Sequence, residues 1–163
     1  MILEDEIKKL LTYDPITGEM KWLKWKSGRK ANLKISSSNK KGYLRVFING
    51  KSYGVHVIAW IYMTGKQPSG VIDHKDQNIY NNKFSNLRDV SKHQNLKNAS
   101  KSKRNKTGVT GVHLNRNGTY YAQIRVNGKS IHLGCFEELS DASDAREEAK
   151  KTYGFDKNHG KNK

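Results

Sequence analysis

The sequence predicts an α+β protein in two parts, built from short antiparallel strands and a few helices. Three observations predict it. Asn-Gly pairs at 49–50, 117–118 and 127–128 stand between runs of strand-forming residues, the strongest short-range hairpin signal. Two stretches, 56–64 and 141–153, carry apolar residues at helical spacing. Residues 97–106 hold five positive charges and one apolar residue, the composition of a basic linker. The expected domains are therefore 1–96 and 108–163, joined by a linker over 97–107.

Along the chain, Leu3, Ile7, Leu10 and Leu11 mark one side of a short helix over 3–11. Tyr13-Asp14-Pro15-Ile16-Thr17-Gly18 is turn chemistry, and Met20-Lys21-Trp22 follows as a strand. Residues 36–41 read as a loop. Tyr43, Arg45 and Phe47 then alternate with Leu44, Val46 and Ile48, and Lys51 to Val55 returns after Asn49-Gly50. Val57, Ile58, Ile61 and Tyr62 line a helix that Gly65 stops. In the second part, 109–114, 119–126 and 130–136 read as three strands. Ser140 is placed to cap a helix whose buried stripe is Ala142, Ala145, Ala149 and Tyr153, ended by Gly154.

Composition narrows the partner. The 163 residues carry 31 Lys+Arg against 15 Asp+Glu, a net charge of +16. The excess is local: residues 20–135 hold 23 of the basic residues and three acids, Asp73, Asp76 and Asp89. Aromatics are interleaved with that charge, which fits a folded basic surface facing a polyanion. No run approaches the ~20 apolar residues of a membrane span. Glu4, Asp5 and Glu6 are unlike a secretory leader. The one cysteine, Cys135, forms no internal disulfide and no cysteine zinc site, so a cytoplasmic location is expected.

One segment carries chemistry. Val71-Ile72-Asp73-His74 reads as a buried strand delivering an acid and a histidine, and Leu87 to Val90 as a second strand. Ser91 and Gln94 form a capping box, which puts Asn95 in the first turn of a helix. Asp73, His74, Asn86 and Asn95 can then converge. Phosphodiester cleavage asks for such a set: a histidine to take a water proton, an amide to fix its tautomer, and hard oxygen ligands for a divalent ion. The same residues also suit a turn closed by side-chain caps.

This segment resembles the HNH nucleases, in particular the phage-type homing endonucleases. The match is His74 at the first signature position, Asn86 at the second and Asn95 at the third, with Asp73 beside the histidine. Tyr13-Asp14-Pro15, Gly42-Tyr43, Asn49-Gly50 and Val55-His56-Val57 are similar to the same family, so the likeness runs from about 10 to 98. It implies a ββα-metal fold in which Asp73 and Asn95 bind one divalent metal ion, Mg2+ or Mn2+, His74 is the general base and Asn86 orients it. His93 competes with Asn95 as ligand. His56, at the start of an apolar helix, is read as packed or phosphate-contacting.

Residues 108–154 resemble the ethylene-response-factor (APETALA-type) DNA-binding domain through Gly108, Gly111-Val112, Tyr120, Ala122, Ile124-Arg125, Leu133-Gly134, Phe136 and the alanine-rich helix. The implied fold is a three-stranded antiparallel sheet packed on one helix, with the sheet's exposed face in the major groove. His113, Asn115, Gln123, Arg125 and His132 match its contact face and alternate with inward Val112, Leu114, Ala122, Ile124 and Leu133. Lys101, Lys103, Arg104 and Lys106 of the basic segment complete the expected DNA-binding residues. The expectation is thus an endonuclease that cuts or nicks double-stranded DNA, with oligomeric state open. The alternatives are a non-catalytic DNA-binding regulator and an RNA-binding protein.

Overall fold

A computed structural model describes residues 2, 4–23, 33–102 and 104–161. Leu3, Trp25 and Lys103 lie outside the described residues. The chain is α+β and folds as two units, Met1–Lys92 and His93–Lys163.

In the first unit, helix α1 (Glu4–Leu10) leads into β1 (Leu11–Tyr13), which pairs antiparallel with β2 (Met20–Trp22). The turn between them is organised by Asp14, whose Oδ1 accepts the Ile16 N–H at 2.8 Å. Gly18 closes it at φ +76°, where a Cβ would lie 2.5 Å from the Lys83 nitrogen. That close approach seats the turn against the loop at 82–84, and the Phe84 N–H donates to the Pro15 carbonyl at 3.1 Å. Next, β3 (Arg45–Ile48) and β4 (Lys51–Gly54) form the expected hairpin. Asn49 and Gly50 take φ +50° and +75°, the backbone of a type I′ turn. The alternation is as the sequence requires, with Val46 and Ile48 buried and Phe47 63% exposed.

Helix α2 (Val55–Thr64) runs straight on from β4 and ends at Gly65, whose left-handed φ of 67° lets its N–H reach the Ile61 carbonyl. Its buried face of Val55, Ile58, Ala59 and Ile61 meets Ile7 and Leu11 in the core. Strand β5 (Val71–His74) pairs antiparallel with β6 (Leu87–Val90), and a 3-10 turn over Phe84–Asn86 leads into β6. Helix α3 (Lys92–Leu96) follows.

In the second unit, β7 (Val112–Leu114), β8 (Tyr120–Val126) and β9 (Lys129–Phe136) form a three-stranded antiparallel sheet in that order. Asn127-Gly128 makes the β8–β9 turn with φ +50° and +83°. Helix α4 (Leu139–Thr152) packs on the sheet through Ala142, against Val112 and Ala122. The basic segment is fastened within this unit: the Lys101 N–H donates to the Lys161 carbonyl at 3.0 Å, and Lys97 Nζ to the Tyr153 carbonyl at 2.7 Å.

Some boundaries move from the sequence reading: α1 ends at Leu10, so that Leu11 opens β1, and Val55 starts α2 rather than ending the strand before it. Ser140 is not the cap of α4; the helix starts at Leu139 after Glu138, because Leu139 itself packs on the sheet core. The buried stripe is Ala142, Arg146, Ala149 and Lys150, while Ala145 and Tyr153 are only half-buried. Leu114 is 60% exposed, since it ends β7 at the 115–119 turn.

Ile58 is fully buried at the centre of the first unit. Ile58→Ala is expected to destabilise that unit by ~2–5 kcal/mol, through lost transfer energy and the cavity left behind. Denaturant unfolding followed by tryptophan fluorescence checks this, because Trp22 and Trp60 pack against this core and the sequence has no tryptophan beyond residue 60.

Candidate active site

The β5–β6 register decides where the chemistry-bearing side chains point. His74 pairs with Leu87, and Asp73 with Arg88. Successive side chains on a strand face opposite ways, so Ile72 and His74 are buried while Asp73 turns to the other face. On that face Arg88 grips Asp73: its Nε and Nη2 both donate to Asp73 Oδ2, at 2.9 and 2.8 Å. This is a cross-strand ion pair, with the Asp73 side chain 10% exposed.

His74 is 4% exposed. Its Nε2 lies 3.3 Å from Asn82 Oδ1, and Asn82 is itself 2% exposed. The amide is fixed in turn, with Nδ2 donating to the Tyr80 carbonyl at 3.3 Å. The Tyr13 hydroxyl donates to the Asn82 carbonyl at 2.7 Å, tying this loop to β1. With the amide oxygen facing the ring, this contact favours the tautomer of neutral His74 that carries its proton on Nε2.

Asn86, the second signature position, has a different set of partners. Its Oδ1 accepts the Asp76 N–H at 3.1 Å, and its Nδ2 donates to Asp76 Oδ1 and to the Asn81 carbonyl at 2.9 and 2.8 Å. It closes the loop between β5 and β6. Asp76 sits inside that loop. Burial pushes its carboxyl up, but hydrogen bonds from Asn81, the Asn78 N–H and Asn86, together with the His74 charge, outweigh this and leave it below the usual range.

His56 completes the surroundings. Its ring lies edge-on to His74 at 5.2 Å and tilted against Tyr43 at 5.4 Å, and Tyr43 lies 6.1 Å from His74. Gly54 permits this, because a Cβ there would be 2.6 Å from the His56 ring. Burial first, then the charges of His74 and Arg45, holds the His56 pKa down to about 4. His56 is therefore neutral near pH 7, with a buried Nδ1 that has no hydrogen-bond partner.

Asn95 and His93 are both exposed on α3, which places them at the start of the second unit. No group of three or more His, Cys, Asp or Glu that could hold a metal occurs among the described residues. Asp73 brings hard carboxylate oxygens, but Arg88 holds its Oδ2 from across the ladder, so a divalent ion there would have to displace Arg88 or bind beside it. Sequence reasoning missed Asn82, Arg88 and the His56–His74 contact. The cross-strand partner of Asp73 was legible once the register was set. The choice between Asn82 and Asn86 was not, because both lie in one Asn-rich loop.

The second unit presents its predicted sheet face. His113, Arg125 and His132 are exposed and Gln123 is half-buried. Gln123 Nε2 and His113 Nε2 are 3.2 Å apart. Tyr121, which lies outside the expected contact residues, stacks on His132 at 4.9 Å and lies 6.3 Å from His113, joining the two sides of this face. A register shift after Ala122 brings Gln123 opposite His132. Asn115 is instead committed to the β7–β8 turn, where its Nδ2 donates to Thr119 Oγ1 at 3.0 Å. In the basic segment Arg104 and Lys106 are exposed, and Lys101 Nζ donates to the Gly108 carbonyl at 3.2 Å.

Comparison with known proteins finds two likenesses that include part of the first unit. Residues 53–97 match the HNH endonuclease family model. The matched segment contains His56, Asp73, His74, Asn82, Asn86, Arg88 and Asn95. The chain is also similar, at 33% identity, to a solved structure described as DNA binding and cleavage by the HNH homing endonuclease I-HmuI. The likeness covers 55% of this chain and 51% of that one, with a TM-score of 0.41, so this chain spans about half of that protein's length. No curated protein matches. No helix among the described residues is long and apolar enough to cross a membrane.

The depressed His56 pKa carries a sign for stability. An unfolded histidine protonates near ~6.5, whereas folded His56 resists protonation until about pH 4. The unfolded state thus binds more protons between these values, and stability is lost as pH falls through that window. Thermal unfolding by tryptophan fluorescence should show the first unit losing ~1–3 kcal/mol from this group between pH 6.5 and 4. His56→Phe should flatten that part of the dependence.

Proposed function

We propose that this protein is a metal-dependent endonuclease that hydrolyses a phosphodiester of double-stranded DNA. The observation that carries the proposal is the buried His74 held against the Asn82 amide, one residue after Asp73 in β5, inside the segment that matches the HNH endonuclease model. In this reading His74, with Nε2 held at Asn82, is the group that takes the proton of an attacking water. Tyr43 and the neutral His56 wall the ring, so it is held in one orientation without a competing positive charge. Asn86 acts one step back, by shaping the loop that carries Asn82.

Asp73 would hold a divalent ion, Mg2+ or Mn2+, which supplies Lewis-acid stabilisation of the leaving 3′ oxygen. Arg88 remains beside the same carboxylate to contact the phosphate's negative charge. Asn95, which the family resemblance assigns as a further ligand, is exposed on α3 and open to test by substitution. By analogy with the family, the products carry a 5′-phosphate and a 3′-hydroxyl.

The second unit would hold the duplex. Its sheet face of His113, Tyr121, Gln123, Arg125 and His132 suits a β-ribbon docking in the major groove, as in the ethylene-response-factor likeness. The basic segment with Lys101, Lys103, Arg104 and Lys106 would take phosphates.

Supercoiled plasmid incubated with Mg2+ or Mn2+ should become nicked or linear, and EDTA should stop it. His74→Ala should lower the cleavage rate ~10²–10⁴-fold while leaving duplex affinity near wild type. Binding without any cutting by the wild-type chain would point instead to a DNA-binding regulator. Lys106→Ala should reduce the slope of log affinity against log salt by about 1, measured by fluorescence anisotropy on a duplex.

A further inference from the structure

The second unit contains a buried cation whose hydrogen-bonding nitrogens are not all satisfied. Arg146 lies on the sheet-facing side of α4, 3% exposed, where the sequence pattern called for small apolar residues. Its Nε and Nη1 are buried and have no hydrogen-bond partner. The acid that acts on it is Glu147, but both Glu147 oxygens already take Lys150 Nζ, at 2.8 and 2.9 Å. Gly111 shows how tightly the guanidinium is seated: a Cβ there would fall 2.5 Å from Arg146 Nε.

A second orphan stands beside it. His159 is 9% exposed, and its Nδ1 is likewise buried without a partner. Phe155 bridges the two, with its ring 5.6 Å from Arg146 Cζ and 4.8 Å edge-on from the His159 ring. Burial, with the charges of Arg146 and Lys150 outweighing the opposite pull of Glu147 and Asp156, holds the His159 pKa down to about 4, so its ring is neutral near pH 7.

Both side chains line a cavity of about 560 Å³ that also touches Lys97 and Arg125. No Asp or Glu lines it among the described residues. A buried guanidinium left unpaired is strongly unfavourable, and the partner that best fits its fork is an oxyanion. The donors come from α4 and from the 156–160 turn. An anion with oxygens in more than one plane therefore suits them better than a flat carboxylate.

We propose that this cavity is a binding site for a phosphate-class oxyanion, held by Arg146 Nε and Nη1 with His159 Nδ1 as a further donor and Lys97 and Arg125 at the wall. The oxyanion is either free phosphate or a phosphodiester of a nucleic-acid backbone. The proposal does not rest on the nuclease reading: Arg146 and His159 take no part in it, and only Arg125 at the wall also belongs to the proposed DNA-contacting face.

The test titrates inorganic phosphate into the full chain against chloride at matched ionic strength, following the Arg146 Nε–H and His159 ring resonances by NMR. Saturable shifts at both, with at least a tenfold loss of phosphate affinity in Arg146→Lys, are the expected result. Should Arg146→Lys not fold, His159→Gln is expected to weaken phosphate binding severalfold. Duplex DNA that displaces phosphate identifies a backbone phosphodiester as the source, and phosphate retained beside DNA identifies the free ion. Absence of a saturable shift in the wild type would mean that water alone satisfies the guanidinium, and would overturn the proposal. So would unchanged affinity in the folded variants.

Discussion

The antiparallel register of β5 on β6 is the constraint from which the candidate active site follows. Because side chains alternate, one register both buries His74 beside Leu87 and sets Asp73 across from Arg88. A slip by one residue would turn His74 to solvent and bury the carboxylate. Two buried positions, Ile72 and Leu87, hold the register against that slip by occupying the core of the first unit. The hydrophobic pattern of a four-residue strand thus fixes which face carries the histidine and which carries the acid.

Around that ribbon, the rest of the first unit supports one loop. Asn86 and Asp76 fold the connection between β5 and β6 upon itself. The Asp14–Gly18 turn and the Tyr13 hydroxyl hold its far end, which delivers Asn82 to His74. Helix α2 contributes His56, admitted by the missing side chain of Gly54. Three segments distant in sequence therefore converge on one imidazole. A histidine fixed in this way keeps a single tautomer and orientation, which general-base chemistry requires.

The second unit solves a different problem. Its core is small, centred on Val112, Ala122 and Ala142, and the helix that covers the sheet is rich in charge. Small alanines let α4 approach closely, and the length of Arg146 and Lys150 lets their stems cover apolar surface. Lys150 satisfies its charge on Glu147 at the rim. Arg146 is drawn deeper, against Gly111 and Phe155, and this difference separates a packing residue from a candidate anion ligand.

Much of the fold was legible in the sequence, because its signals are local. Asn-Gly at 49–50 and 127–128 fixed type I′ hairpins through backbone conformations that these residues tolerate, and Gly65 ended α2 for the same reason. The adjacency of Asp73 and His74, and the strand that carries them, were legible from an apolar pair followed by an acid and a histidine. What only the tertiary structure decided was which partner each polar group takes. Asn82 rather than Asn86 faces His74, Arg88 covers Asp73, and Arg146 replaces Ala145 on the buried stripe of α4. The physical reason is one of range. Hairpins and helix ends are set by the conformational preferences of a few neighbouring residues, whereas the partner of a buried polar group depends on which distant segments close around it.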